Sequence, residues 1–273
     1  MVRSLWTAAS GMMTQQINVD TIAHNFANVS TVGYKKETAE FQTLLYQNLN
    51  ERSTTNQGKE KPIGIQVGLG SKVSAISSKF KQGNLLNTGA DFDLAIQGEG
   101  FFNIRQDNGE IGYTREGSFS IMNYGYNRVA LATSGGNLVL TREGEPIVID
   151  TTKYELSNIK INSSGQLTYP DEKNNPRPIG YTIALSQFNN PAGLEKIGDN
   201  LYLVSAASGE PREEGVDLAL TNSIIKQGYL EASNVEVGEE MVNLIAAQRA
   251  YELNSKAIIA SDEMLSQANN LRR

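Results

Sequence analysis

SNVEVGEEMVNLIAAQRAYELNSKAIIASDEML, residues 233–265, decides the fold class of this chain. Val237, Leu244, Tyr251, Ile258 and Leu265 recur every seven residues, a 3.5-residue helical period that sets them along one seam of a helix packed lengthwise on others. Ser233 and Glu236 have the spacing of a capping box. Glu239 and Glu240 place negative charge at the expected N-terminus, and Arg272 and Arg273 place positive charge at the other end. The start of the chain carries the same signal. Leu5, Met12, Val19 and Phe26 recur every seven residues, with Ala8, Ile22 and Val29 interleaved. From Val2 to about Ala27 there is no proline, which predicts a helix on the order of 40 Å long, with Gly11 its one weak point. It stops at Asn28, Ser30, Thr31 and Gly33, the last able to take a left-handed turn.

Between the two helices the period changes. Phe41 to about Leu49 reads as a short second helix or an extended arm, and the polar stretch from Asn50 to Gly64 as a linker. From about Ile65 to Gln227, short alternating runs such as Ile179, Tyr181, Ile183 and Leu185 sit between turn clusters. Those clusters are DNG (107–109), SGGN (134–137), SSG (163–165), NNPAG (189–193) and SGE (208–210). The expected fold class is therefore α+β: long terminal helices pairing as a coiled coil, with a central all-β domain. The expected division is residues 1–34 plus 232–273 as the helical assembly domain, 35–70 as a connecting arm, and 71–231 as the β-domain. Bringing the two ends together costs only logarithmically in the length of the intervening chain. Two helix-seeking ends on one compact centre describe a part that assembles.

Composition narrows the function. The chain has 39% hydrophobic and 20% charged residues, the balance of an ordinary globular protein. A net charge of -6 without long runs of one sign offers no footprint for nucleic acid or anionic lipid. No run reaches the roughly 18 apolar residues of a membrane span, so no membrane insertion is expected. Gln15, Gln16, Asn18 and Asp20 interrupt the apolar stretch a cleaved secretory signal would need. There is no cysteine, which removes disulfides, thiolate metal sites and cysteine nucleophiles.

A search for catalytic chemistry finds little. The one histidine, His24, stands near a helix end without the partners a metal or a nucleophile relay needs. GLG (68–70) and GEG (98–100) lack the third glycine and following helix of a dinucleotide fold, since FFNI follows the latter. The carboxylates Asp91 and Asp93, with Tyr124 and Tyr126, are the only candidates for a wall-active or carbohydrate-binding site on a β-domain carried by an oligomerising coiled coil. No catalytic, cofactor-binding or metal-binding residue is assigned, and no cofactor is expected.

Several long strings resemble one family: the axial proteins of the bacterial flagellar rod and hook. They are SLWTAASGMMTQQ (4–16), NFANVSTVGYKK (25–36), DLAIQGEGFF (93–102), YTREGSF (113–119) and GYLEASNVEVGEEMVNLIAAQRAYELNSK (228–256), in order from end to end. LLYQ (44–47) and GIQVGLG (64–70) resemble the distal-rod branch, the alternatives being a proximal-rod or hook-type paralogue. The resemblance departs at residues 121–140, IMNYGYNRVALATSGGNLVL, where the family has a short Asp/Gly turn into a GxLV strand. The resemblance implies a non-enzymatic subunit that polymerises helically into a shaft transmitting torque from motor to hook. It implies as partners further copies of itself, proximal rod proteins, the hook protein, the surrounding basal-body rings and the type III export apparatus. The implied location is the periplasm-spanning basal body, reached without a cleaved signal peptide. The assembly seam would comprise Leu5, Met12, Val19, Ile22 and Phe26 with Val237, Leu244, Tyr251, Ile258 and Leu265. Phe41, Leu44 and Leu45 resemble an element presented to the export gate.

Overall fold

A computed structural model of the chain describes residues 2–50, 65–171, 175–217 and 220–271. The expected α+β class is found: among the described residues there are two α-helices, one near each end, and a largely β region between them. The chain divides into two compact units, one of residues 1–27, 37–77 and 236–273 and the other of residues 28–36 and 78–235.

The first unit contains α1 (Val2–Ala27) and α2 (Val237–Asn270). They lie antiparallel, because Ser4 near the start of α1 meets Ser261 towards the end of α2, while Asn25 meets Glu240 at the opposite ends. The stretch expected to be a helix or an extended arm is extended. β1 (Glu37–Thr43) pairs with β4 (Ser71–Ser78), and β2 (Tyr46–Asn50) pairs antiparallel with β3 (Ile65–Gly68). Gly70, at φ 119°, lies so close to Ser10 of α1 that a Cβ would not fit. Thr14 Oγ1 lies 3.2 Å from Ser71 Oγ, so the threonine flank of α1 is covered by the arm. Residues 51–64, most of the expected linker, lie outside the described residues, as do Arg272 and Arg273.

The expected capping box does not form. Ser233 Oγ accepts from the Val235 N–H, and α2 begins at Val237 with Glu236 as an N-cap that makes no side-chain bond. Asn234 is the reason for the local geometry: it accepts from the Lys36 N–H and donates to Lys79 O and Lys81 O. Side-chain bonding to a neighbouring loop outcompetes the helix-start pattern here.

Among the described residues, the regular structure of the second unit is β apart from two short 3₁₀ turns. Strand 101–105 is central, pairing antiparallel with 111–114, 138–139 and 185–187. The sheet extends through 201–203 to 195–198 on one side and through 128–132 to 148–150 on the other. A three-stranded sheet (160–161, 166–170, 176–182) and the ribbons 94–97 with 224–227 and 85–87 with 229–231 complete it. All five turn clusters named from the sequence fall between strands, and Gly109, Gly136, Gly165 and Gly209 take the positive φ those turns require.

Alternation along a strand sends neighbours to opposite faces, which splits the FF of residues 101–102. Phe102 joins Leu94, Ile104, Phe119 and Leu131 in the main core, while Phe101 joins Tyr113, Phe188, Leu194 and Tyr202 in a second, aromatic cluster. Its rings meet edge to face, as Tyr113 and Phe188 do at 4.8 Å and Phe101 and Phe188 at 5.6 Å. Alternation fails at 183–187, all buried: Ile183 and Leu185 lie in the main core, while Gln187 donates to Glu214 Oε1 and Thr221 O. Where the resemblance departs, 120–125 and 128–132 form a hairpin turning through Asn127 at φ 55°, a conformation asparagine tolerates.

Candidate assembly surfaces

Where the two helices of the first unit meet, the hydrogen-bonded and closest contacts involve small and polar residues, with Ala8, Ile22 and Ala247 also buried on the two helices. Ser4 Oγ is 3.2 Å from Ser261 Oγ, and Asn25 Nδ2 donates to Glu240 Oε2 at 3.0 Å. Between these contacts, a Cβ added at Gly11 would sit 2.9 Å from Asn254 Nδ2, so this glycine is where the asparagine seats. Advances of seven and then fourteen residues along α1 (Ser4, Gly11, Asn25) are matched by equal retreats along α2 (Ser261, Asn254, Glu240). The same register brings Asn18 opposite Ala247, which is 3% exposed. Asn25, 1% exposed, also donates to Glu37 O and accepts from Glu37 N–H, tying the helix end to the start of β1. His24 lies in the same corner, its Nδ1 3.7 Å from Glu37 Oε2.

The expected seam residues stand around this layer. Ile22 is buried and Leu5, Met12, Val19, Leu244, Ile258 and Leu265 are half-buried. Phe26, Val237 and Tyr251 are 37%, 42% and 40% exposed. An open hollow of about 370 Å³ lies midway along, lined by Gln16, Val19, Gln248, Tyr251 and Glu252. Met241, Ile245 and Ile259 are exposed along α2, as are Trp6 and Met13 on α1. A helix pair that turns its small residues inward and leaves large apolar ones outward has an unburied face. In the arm, Phe41 is 44% and Leu45 82% exposed, with Leu44 half-buried.

Sequence reasoning missed the most unusual site of the second unit. Glu231, fully buried, accepts from Lys35 Nζ at 2.6 Å, from the Gly83 N–H at 2.8 Å and from Arg115 Nη1 at 3.4 Å. Lys35 also donates to Lys81 O, and Arg115 donates to Gly98 O and stacks over the Phe101 ring at 5.0 Å. Burial pushes the Lys35 pKa below the usual lysine value, against the pull of Glu231 and with the help of Arg115. Burial likewise lowers Arg115, and Glu231 opposes it. Gly33, at φ 69°, donates to Glu231 O, and any Cβ there would lie 2.8 Å from the Glu116 nitrogen. A second buried carboxylate follows: Glu214 accepts from Ser223 N–H and Oγ and from Gln187 Nε2. A Cβ at Gly100 would collide with it, so the GEG of residues 98–100 is a packing requirement. The signal was present in the sequence: Lys35, Arg115, Glu231 and Gly98 each stand inside one of the quoted strings.

The alternative carbohydrate candidates sit on separate elements. Asp93 accepts from Thr88 Oγ1, Asp91 receives Gln227 at its main-chain oxygen, and Tyr124 and Tyr126 project from the 120–132 hairpin at 50% and 103% exposure.

Three family descriptions match the chain in order: "Flagella basal body rod protein" over residues 5–35, "Flagellar hook protein FlgE/F/G D1 domain" over 95–169, and "Flagellar basal body rod FlgEFG protein C-terminal" over 226–271. The flagellar basal-body rod protein FlgG of Borreliella burgdorferi is 45% identical over the whole of both chains. That of Caulobacter vibrioides is 41% identical over 99% of this chain and all of its own length. That of Bacillus subtilis is 36% identical over the whole of both.

Proposed function

The chain belongs to the FlgG family of flagellar basal-body rod proteins, and from that premise we propose that it is a structural subunit of the distal rod, polymerising helically through its terminal helices. The observation that carries this reading is the α1/α2 pair, which meets through small and polar residues and leaves Trp6, Met13, Phe26, Met241, Ile245 and Ile259 uncovered. Neighbouring copies supply the cover. An interface repeated without closing makes a filament, and a coiled-coil seam of Leu5, Met12, Val19, Ile22 and Phe26 with Val237, Leu244, Tyr251, Ile258 and Leu265 gives that filament its stiffness. Each apolar side chain so buried contributes roughly 1.5 to 3 kcal/mol.

In this role the rod passes torque from motor to hook across the periplasm. It meets proximal rod proteins at one end, the hook protein at the other and the rings around it. The helices gain order on assembly, because isolated helices of this kind are marginal in water. Export through the type III apparatus fits a chain without cysteine, and the exposed Phe41 and Leu45 support a contact there. The subunit has no enzymatic role. Polymerisation of Leu244→Asp and Ile258→Asp tests the reading: both variants keep the aromatic near-ultraviolet signal of the β unit and form no filaments by electron microscopy. Filaments of normal length and number would overturn it.

A further inference from the structure

We infer that the small and polar rungs between α1 and α2 are a register lock, which selects one alignment of the two helices and keeps the large apolar residues facing outward. The inference rests on the assembly reading above and deepens it. Ser4 with Ser261, Gly11 with Asn254, and Asn25 with Glu240 are spaced by one heptad and then by two on both helices, so the whole length of the pair is in step. An apolar seam alone does not choose register, since sliding by seven residues replaces one apolar residue with another. A buried polar residue in a helical seam does choose, because only one alignment gives it a partner.

The rungs differ enough to make sliding costly. Glu240 is 1% exposed and receives Asn25 Nδ2. A slip of one heptad in the direction that brings Glu240 opposite Asn18 moves Asn254 off Gly11 and towards Ser4, where a side chain occupies the space the glycine leaves open. The opposite slip moves Ser261 against Gly11 and leaves Asn25 facing Ala247. In either case buried polar groups lose partners, which by the cost of an unsatisfied group separates the alignments by roughly five- to a hundred-fold. The lock therefore acts as a specificity determinant: each α1 takes its own α2 in one alignment, and the apolar rows remain for the next subunit.

The absence of cysteine in the chain permits a direct test in the full-length protein under polymerising conditions. Ser4→Cys with Ser261→Cys reports the observed register, and Ser4→Cys with Ala268→Cys reports a slip of one heptad. With the rungs intact, oxidation yields the first disulfide and only background of the second. Adding Glu240→Leu and Asn254→Leu raises the ratio of slipped to native product by about tenfold, the equivalent of roughly 1.4 kcal/mol. Glu240→Gln, which keeps an acceptor for Asn25, leaves the ratio within about twofold of the intact rungs. An unchanged ratio in the double leucine variant, with the native disulfide still formed, refutes the lock and leaves assembly through the helices standing. Failure of the native disulfide to form in filaments that do assemble refutes the helix pairing itself.

Discussion

Replacing Glu231 with glutamine removes one charge from the centre of the β unit and almost no volume. The carboxylate holds two buried cations, Lys35 with its side chain 0% exposed and Arg115 with 2%. Its Oε1 takes both the ammonium and the Gly83 N–H, and its Oε2 takes the guanidinium. An amide has one acceptor oxygen, so either orientation turns an NH₂ towards a donor, and the local charge rises by one. With the oxygen in one orientation Lys35 would keep only Lys81 O, and in the other Arg115 would keep only Gly98 O and the Phe101 ring, with its Nε already without an acceptor among the described residues. Removing one partner from a buried ion cluster costs about 3 to 5 kcal/mol. For a unit of this size, at about 2 to 4 °C per kcal/mol, the melting temperature falls by roughly 6 to 20 °C. The assay is thermal unfolding followed by near-ultraviolet circular dichroism, dominated by the aromatic cluster, with fluorescence of the single tryptophan, Trp6 in α1, as a report on the other unit. Lys35→Met is the milder change, because Glu231 retains Arg115 and Gly83. The double variant is more stable than the sum of the two losses predicts, by about 1 kcal/mol or more. A fall of under about 2 °C in Glu231→Gln would mean that the cluster is solvated in solution and that this reasoning is wrong.

Two further outcomes follow from the same site. Gly33→Ala imposes a Cβ on a backbone at φ 69° and against the Glu116 nitrogen, so denaturant unfolding shows a loss larger than the roughly 0.4 to 1 kcal/mol that a tolerated glycine-to-alanine change gains. Because Lys35 titrates lower in the fold than the ordinary 10.5, the unfolded chain binds more protons between those two values, and stability there rises with pH. The stability difference between the natural chain and Lys35→Met should accordingly climb as pH approaches 10.5 from below, in urea titrations at several pH values; a flat or falling difference contradicts the burial of the charged ammonium.

How far the sequence carried this structure depended on the reach of each signal. Helices were readable because heptad residues such as Val237, Leu244 and Tyr251 repeat within one segment, and the turns because glycine at a positive φ leaves a local mark, as at Gly109 and Gly136. What escaped was set by distant partners. Lys35, Arg115 and Glu231 meet from three remote parts of the chain, and nothing local to any of them reveals a neutralising partner. The start of α2 was misread at Ser233 because Asn234 answers to Lys36, Lys79 and Lys81. Gly11 looked like a weak point in α1 and is the seat of Asn254. The apolar heptads were visible, but not that the layer between α1 and α2 would be the polar residues beside them.

Hydrogen exchange on the purified monomer and on the polymer it forms tests the assembly account most directly. The account predicts that residues 2–27 and 237–270 exchange freely in the monomer and become protected in the polymer. Residues 28–36, which pack with the β unit, should stay protected in both, along with 78–235. Helices already fully protected in the monomer, with no further gain on polymerisation, would contradict it.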